Sequence, residues 1–147
     1  MKSLVVTVSL AVAAMLPGVA PAQPRHDRGR DIARVIADCE ERTNQFRRSF
    51  RYALDRSAYR DSMREDELNR HADRLERAMN RVRESWNRER NPARTRRFVS
   101  EALSTSQDIN RTILRGRLHP EIQKQWFAVR SELNRLAEVF DLPGIRW

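Results

Sequence analysis

Cysteine occurs once in the 147 residues, at Cys39. A lone thiol cannot close an internal disulfide, so a stapled small-domain scaffold is excluded and the fold must rest on packing. Glycine is nearly as scarce. Beyond residue 22 only Gly29, Gly116 and Gly144 remain, too few and too scattered for a phosphate-cradling loop. The chain also lacks G-x-S-x-G, H-E-x-x-H and C-x-x-C-H, which removes the hydrolase elbow, the zincin helix and c-type haem attachment. Lysine is almost absent: Lys2 and Lys124 stand against 27 arginines. A GC-rich genome gives that imbalance through codon usage, so part of the pI of about 11.1 is explained without any binding function. No segment alternates apolar and polar residues as a half-buried strand would.

Long apolar runs are missing too, with one exception. Leu4 to Leu16 is almost wholly apolar, follows Lys2, and is ended by Pro17-Gly18 and then Ala20-Pro21-Ala22. That is the order of a secretory signal: a positive start, an apolar core, an A-x-A cleavage site. The run falls short of the roughly 20 residues that span a bilayer; an uncleaved membrane anchor is the alternative. The reading predicts a signal peptide over residues 1–22 and a mature chain from Gln23, exported to the periplasm or beyond, with no transmembrane span after cleavage. Removing Lys2 lowers the formal charge from +9 to +8.

What the mature chain does have is stripes. Polar residues 23–30, with Pro24, are expected to be disordered. A first helix is predicted from about Asp31 to Asp55, with Ile32, Ile36, Cys39, Thr43, Phe46, Phe50 and Ala53 at alternating steps of four and three, and Val35 and Leu54 beside them. Residues 56–61 form a polar connection. Ser62 and Glu65 make a capping box for a second helix to about Arg88, with the stripe Leu68, Ala72, Leu75, Met79, Val82 and Trp86. Asn91-Pro92 caps a third, with Val99, Ala102, Ser106, Ile109 and Ile113, and Phe98 and Leu103 alongside, until Gly116 stops it. His119-Pro120 opens a fourth, whose stripe is Ile122, Trp126, Val129, Leu133, Leu136 and Phe140. Residues 141–147 form a short tail broken by Pro143-Gly144. Four such faces joined by short connections predict an all-α, antiparallel up-down four-helix bundle over residues 31–140. A three-helix bundle with one helix broken near Pro92 is the competing architecture.

Candidate sites are few. Cys39 lies on the first stripe and is expected to act as a small buried hydrophobe; the competing role is an intermolecular disulfide that would dimerise the chain. Glu67 and His71 lie one turn apart, but a second ligand pair is missing and no metal site is expected. Asp66 with Arg70, Asp73 with Arg77 and Glu84 with Arg88 are expected to pair along the second helix. No catalytic residue and no cofactor emerges. Charge is distributed more informatively. In the predicted topology residues 23–34, 86–98 and 137–147 share one end of the bundle and carry ten basic residues against five acidic ones. Arg88, Arg90, Arg94, Arg96 and Arg97, with Trp86 and Trp147, form the candidate binding pole. Guanidinium groups with indoles suit an anionic surface; a solvated, codon-biased surface is the plain alternative. Nucleic acid is not expected, since no nucleic-acid motif is present and an exported chain seldom meets that partner.

Two blocks carry a resemblance: Arg64-Glu65-Asp66-Glu67-Leu68-Asn69, continuing through Leu75 to Trp86, and Trp126 with Arg130, Leu133-Asn134-Arg135-Leu136-Ala137 and the final tryptophan. With the signal they resemble a group of small exported bacterial proteins of unknown function, a likeness that spans most of the mature chain and implies no activity. Leu103-Ser104 followed by Gln107 is similar to the Leu-Thr-x-x-Gln motif of periplasmic helical stress chaperones. It departs at the second position and occurs once rather than twice, and those proteins form an open cradle rather than a closed bundle. Together these features predict an exported, non-enzymatic bundle that binds an anionic or unfolded envelope component through its arginine-rich pole, or alternatively a structural module that assembles through its helices or through Cys39.

Overall fold

A computed structural model describes residues 25–56, 60, 62–115 and 118–146. All regular structure among them is helical: α1 (Arg25–Asp55), α2 (Met63–Glu89), α3 (Pro92–Arg115) and α4 (Pro120–Val139). The expected signal segment, the Gly116 stop and Trp147 lie outside the described residues. The long-helix alternative is corrected: α2 ends at Glu89 and α3 begins separately at Pro92.

Local chemistry sets the helix boundaries. Ser62 Oγ accepts from Glu65 N–H at 3.2 Å and caps α2. Asn91 Oδ1 accepts from Ala93 N–H at 3.0 Å and Arg94 N–H at 3.3 Å, with Pro92 in the first turn of α3, where its missing donor is not needed. His119 caps α4 through Nδ1, which accepts from Glu121 N–H at 3.3 Å. α2 closes on Arg90, left-handed at φ 47°, whose N–H donates to Trp86 O at 2.9 Å. Glycine or asparagine is the usual residue for that conformation.

One boundary corrects the sequence reading. α1 begins at Arg25, not near Asp31, so the stretch expected to be disordered is helical from residue 25 onward. Between Pro24 and Pro92 the sequence holds no proline, and arginine, a good helix former, outnumbers the single Gly29 in this stretch. Once the packed part of a helix exists, each further turn is cheap to add.

α1 packs against α2 and α4, and α3 packs against α2 and α4; among the described residues the backbones of α1 and α3, and of α2 and α4, do not come close. The stripes of α2, α3 and α4 are buried at every predicted position. In α1 the stripe ends on Leu54, which is fully enclosed, while Ala53 is only half-buried. A strict four-three ladder slips by about 20° per heptad on a straight helix, so after three heptads the next residue takes the core position. The centre is aromatic: Phe46 stacks on Phe50 at 5.0 Å between centroids and tilts against Trp126 at 5.4 Å. Buried hydroxyls are satisfied. Thr43 and Ser106 donate to the carbonyls of Cys39 and Ala102 one turn back, and Ser85 Oγ pairs with Thr95 Oγ1 at 3.2 Å.

The tail does not trail into solvent. After Asp141, left-handed at φ 53°, it turns back onto α3 and α4. Ile145 is buried, its N–H donates to Asn134 Oδ1 at 2.7 Å, and Asn110 Nδ2 donates to Arg146 O at 2.9 Å. Gly144 makes this approach possible, because a Cβ there would lie 2.8 Å from Asn134 Oδ1.

Candidate functional site

The predicted arginine pole is built where α2 ends and α3 begins. Arg88, Arg90, Arg94, Arg96 and Arg97 are all exposed. Three elements hold them in place: the left-handed stop at Arg90, the Asn91 cap two residues before Ala93, and the docked tail. Trp86 lies beneath, buried, with the Arg90 guanidinium 5.9 Å from its ring centroid. Arg97 stacks on Phe98 at 4.5 Å. Arg94 pairs with Glu89 at 3.1 Å, and Arg96 Nη2 donates to the carbonyl of Asp141 at 2.8 Å. The five residues are therefore not equivalent. Arg96 fastens the tail, Arg94 has a carboxylate, and Arg88, Arg90 and Arg97 keep their polar donors toward solvent. Sequence reasoning found the cluster but missed the role of Arg96, because the acceptor is a main-chain carbonyl that leaves no trace in composition.

Cys39 has no exposed surface; its Sγ lies 3.9 Å from Met79 Sδ. Burial pushes its thiol up to about 12, with the nearby carboxylate of Glu132 adding to the rise. A thiol so enclosed and so reluctant to ionise is a poor nucleophile. An intermolecular disulfide would require Cys39 to leave the core.

The acidic residues of α2 pair differently from expectation. Asp73 pairs across to α1 with Arg47 at 3.1 Å and Arg51 at 3.5 Å, rather than along α2 with Arg77. Glu76 joins Arg47 at 3.2 Å. Glu40, almost fully buried, receives both bonds from Arg83 Nη1, at 3.0 and 2.8 Å. A carboxylate in that position must be paired to be tolerated. The expected pairs Asp66 with Arg70 and Glu84 with Arg88 do not form. His71 Nε2 lies 3.8 Å from Glu67, and its Nδ1 faces Arg74 at 3.3 Å, a surface arrangement with a cation where a metal would need a donor. No group of three or more candidate metal ligands occurs among the described residues, and no described helix is long and apolar enough to cross a membrane.

In the motif similar to that of the stress chaperones, Leu103 is buried and Ser104 and Gln107 face solvent. Comparison with protein-family models, with characterised proteins and with solved structures finds no match.

Proposed function

We propose that the protein is exported and acts without catalysis, as an antiparallel up-down bundle that binds an anionic or unfolded component of the cell envelope through its arginine-rich end. The antiparallel reading is supported by the pairs that cross between helices. Going from Glu40 to Arg47 on α1 moves the partner on α2 backward from Arg83 to Glu76. Going from Asp38 to Phe46 moves the partner on α4 backward from Arg135 to Trp126.

The observation that carries the binding reading is the solvent-facing set Arg88, Arg90 and Arg97, with Arg90 over buried Trp86 and Arg97 over Phe98. Fixed guanidinium groups lose little freedom on meeting phosphate or carboxylate, and they present forked donors to it. Co-sedimentation of residues 23–147 with vesicles of an anionic phospholipid tests the reading. Binding should persist at physiological salt and fail when Arg88, Arg94 and Arg97 are reversed to Glu together, with Arg96 spared because it holds the tail. Binding seen only at low salt would reduce the charge to composition.

The second reading, an assembly module, draws on a different corner. Tyr52 and Met63, at 59% and 88% exposure, flank the connection between α1 and α2. A dimer that appears with concentration and is lost on Met63→Glu would favour it.

A further inference from the structure

A groove of about 420 Å³ lies between α1 and α2, with Ala33, Ala37, Glu40, Asn44, Arg83 and Trp86 among its lining residues. Two of its lining residues each carry a buried polar atom with no hydrogen-bond partner: Trp86 Nε1 and Asn44 Oδ1. The contrast with the other buried indole is direct. Trp126 Nε1 donates to Asn110 Oδ1 at 2.9 Å, as a buried N–H is expected to do. The bundle thus satisfies one tryptophan from within and leaves the other, which lines the groove, unpaired.

The positions of the two atoms limit what can satisfy them. The Glu40–Arg83 pair spans the groove. Trp86 comes three residues after Arg83, and Asn44 four after Glu40. With the two helices running in opposite directions these steps diverge, so the free donor and the free acceptor flank the ion pair, about 10 Å apart along the axis. Indole is a donor only; an amide oxygen is an acceptor only. Their complement is a molecule with an acceptor at one end and a donor at the other, separated by that length. An extended polypeptide repeats both groups at about 3.3 Å per residue, so three residues bridge the gap. Ala33 and Ala37 leave room beside the indole for small side chains.

We infer that this groove binds an extended, uncharged stretch of polypeptide, with Trp86 Nε1 donating to a backbone carbonyl and Asn44 Oδ1 accepting from a backbone N–H. Both atoms are buried beside the ion pair, and contact requires the Arg83 side chain, 57% exposed, to swing aside while its Nη1 stays on Glu40. The site uses neutral groups and is separate from the arginine pole. It rests on the antiparallel reading of α1 and α2 but not on anion binding.

The test is a titration of the ¹⁵N-labelled full chain with a capped octapeptide of alternating Ala and Ser, followed at the tryptophan indole N–H resonances. The Trp86 signal, identified by its loss in Trp86→Phe, should move downfield and saturate at physiological salt. Asn44→Leu should weaken binding about tenfold, the worth of one hydrogen bond. Trp86→Phe should do the same when read from the backbone amides of Ala33 and Ala37. Reversal of Arg94 and Arg97 to Glu should leave peptide binding unchanged, so failure of anion binding at the pole and failure of the groove are separable. The inference is overturned by the absence of a saturable shift at millimolar peptide. A long-lived water found on the Trp86 N–H, or Trp86→Phe binding the peptide as the parent does, overturns it equally.

Discussion

Asn110 is the residue whose removal should be felt most widely for its size. It sits on α3, buried, and touches two other segments at once: its Oδ1 accepts from Trp126 Nε1 at 2.9 Å on α4, and its Nδ2 donates to Arg146 O at 2.9 Å in the tail. In Asn110→Ala the indole N–H is left buried and unpaired, which costs about 1–3 kcal/mol. The tail bond adds about 0.5–1.5 kcal/mol, for a total of about 2–4 kcal/mol. In Trp126→Phe the indole nitrogen goes and Asn110 Oδ1 loses its donor, while Phe46 keeps an aromatic neighbour. The double variant has neither orphan. Its destabilisation should therefore fall short of the sum of the singles by about 1 kcal/mol or more. Urea unfolding read by far-ultraviolet dichroism gives all three values if the slopes match. Additive single and double changes would refute the reasoning, because they would mean that the indole and the amide do not satisfy each other. Trp126→Ala serves as a scale, since losing the whole buried ring should cost about 3–5 kcal/mol.

Two further outcomes follow from other positions. Cys39 has its thiol held at about 12 in the folded chain against 9.0 for a free thiol. Above pH 9 the unfolded chain loses that proton and the folded chain keeps it, so stability should fall as pH rises from about 9 toward 12, by up to about 1.4 kcal/mol per pH unit; Cys39→Ala should flatten that part of the pH–stability curve. Arg90→Gly relieves a left-handed conformation that costs a side-chain-bearing residue about 1–2 kcal/mol and gives up a long contact with Trp86. A net gain of about 0.5–1 kcal/mol in thermal unfolding is expected, and a loss would mean that the guanidinium contact outweighs the backbone strain.

The stripes of α2, α3 and α4 were legible residue by residue because burial of one helical face repeats every three or four positions. Ser62, Asn91 and His119-Pro120 were legible because a capping side chain sits in the sequence beside the amides it satisfies. The start of α1 was not, since polar composition reads as disorder although nothing in residues 25–30 interrupts a helix. The exchange of Ala53 for Leu54 depends on accumulated helical drift, which a fixed ladder omits. The tail was also hidden. Its anchors are Asn110, Asn134 and Arg96, polar residues that bond to main chain, and its apolar residues Leu142 and Ile145 are too few to form a stripe. At the pole, sequence located the charge but not its division between Arg96, committed to the tail, and the solvent-facing Arg88. Asn44 gave no signal at all, because an unpaired acceptor is defined by what surrounds it.

The seams between the helices are made of different materials. α1 and α2 are laced by charge, through Arg47 with Asp73 and Glu76, Arg51 with Asp73, and Arg83 with Glu40. α3 and α4 are joined through uncharged amides, Asn110 to the indole and tail and Asn134 to Ile145. Dissolved ions weaken the first kind of fastening and scarcely touch the second. The bundle thus has a grain, like split timber: a rise in ionic strength weakens the exposed ion pairs that lace α1 to α2 and leaves the amide fastenings of the opposite side as they were. The surrounding medium would set how readily that one edge opens.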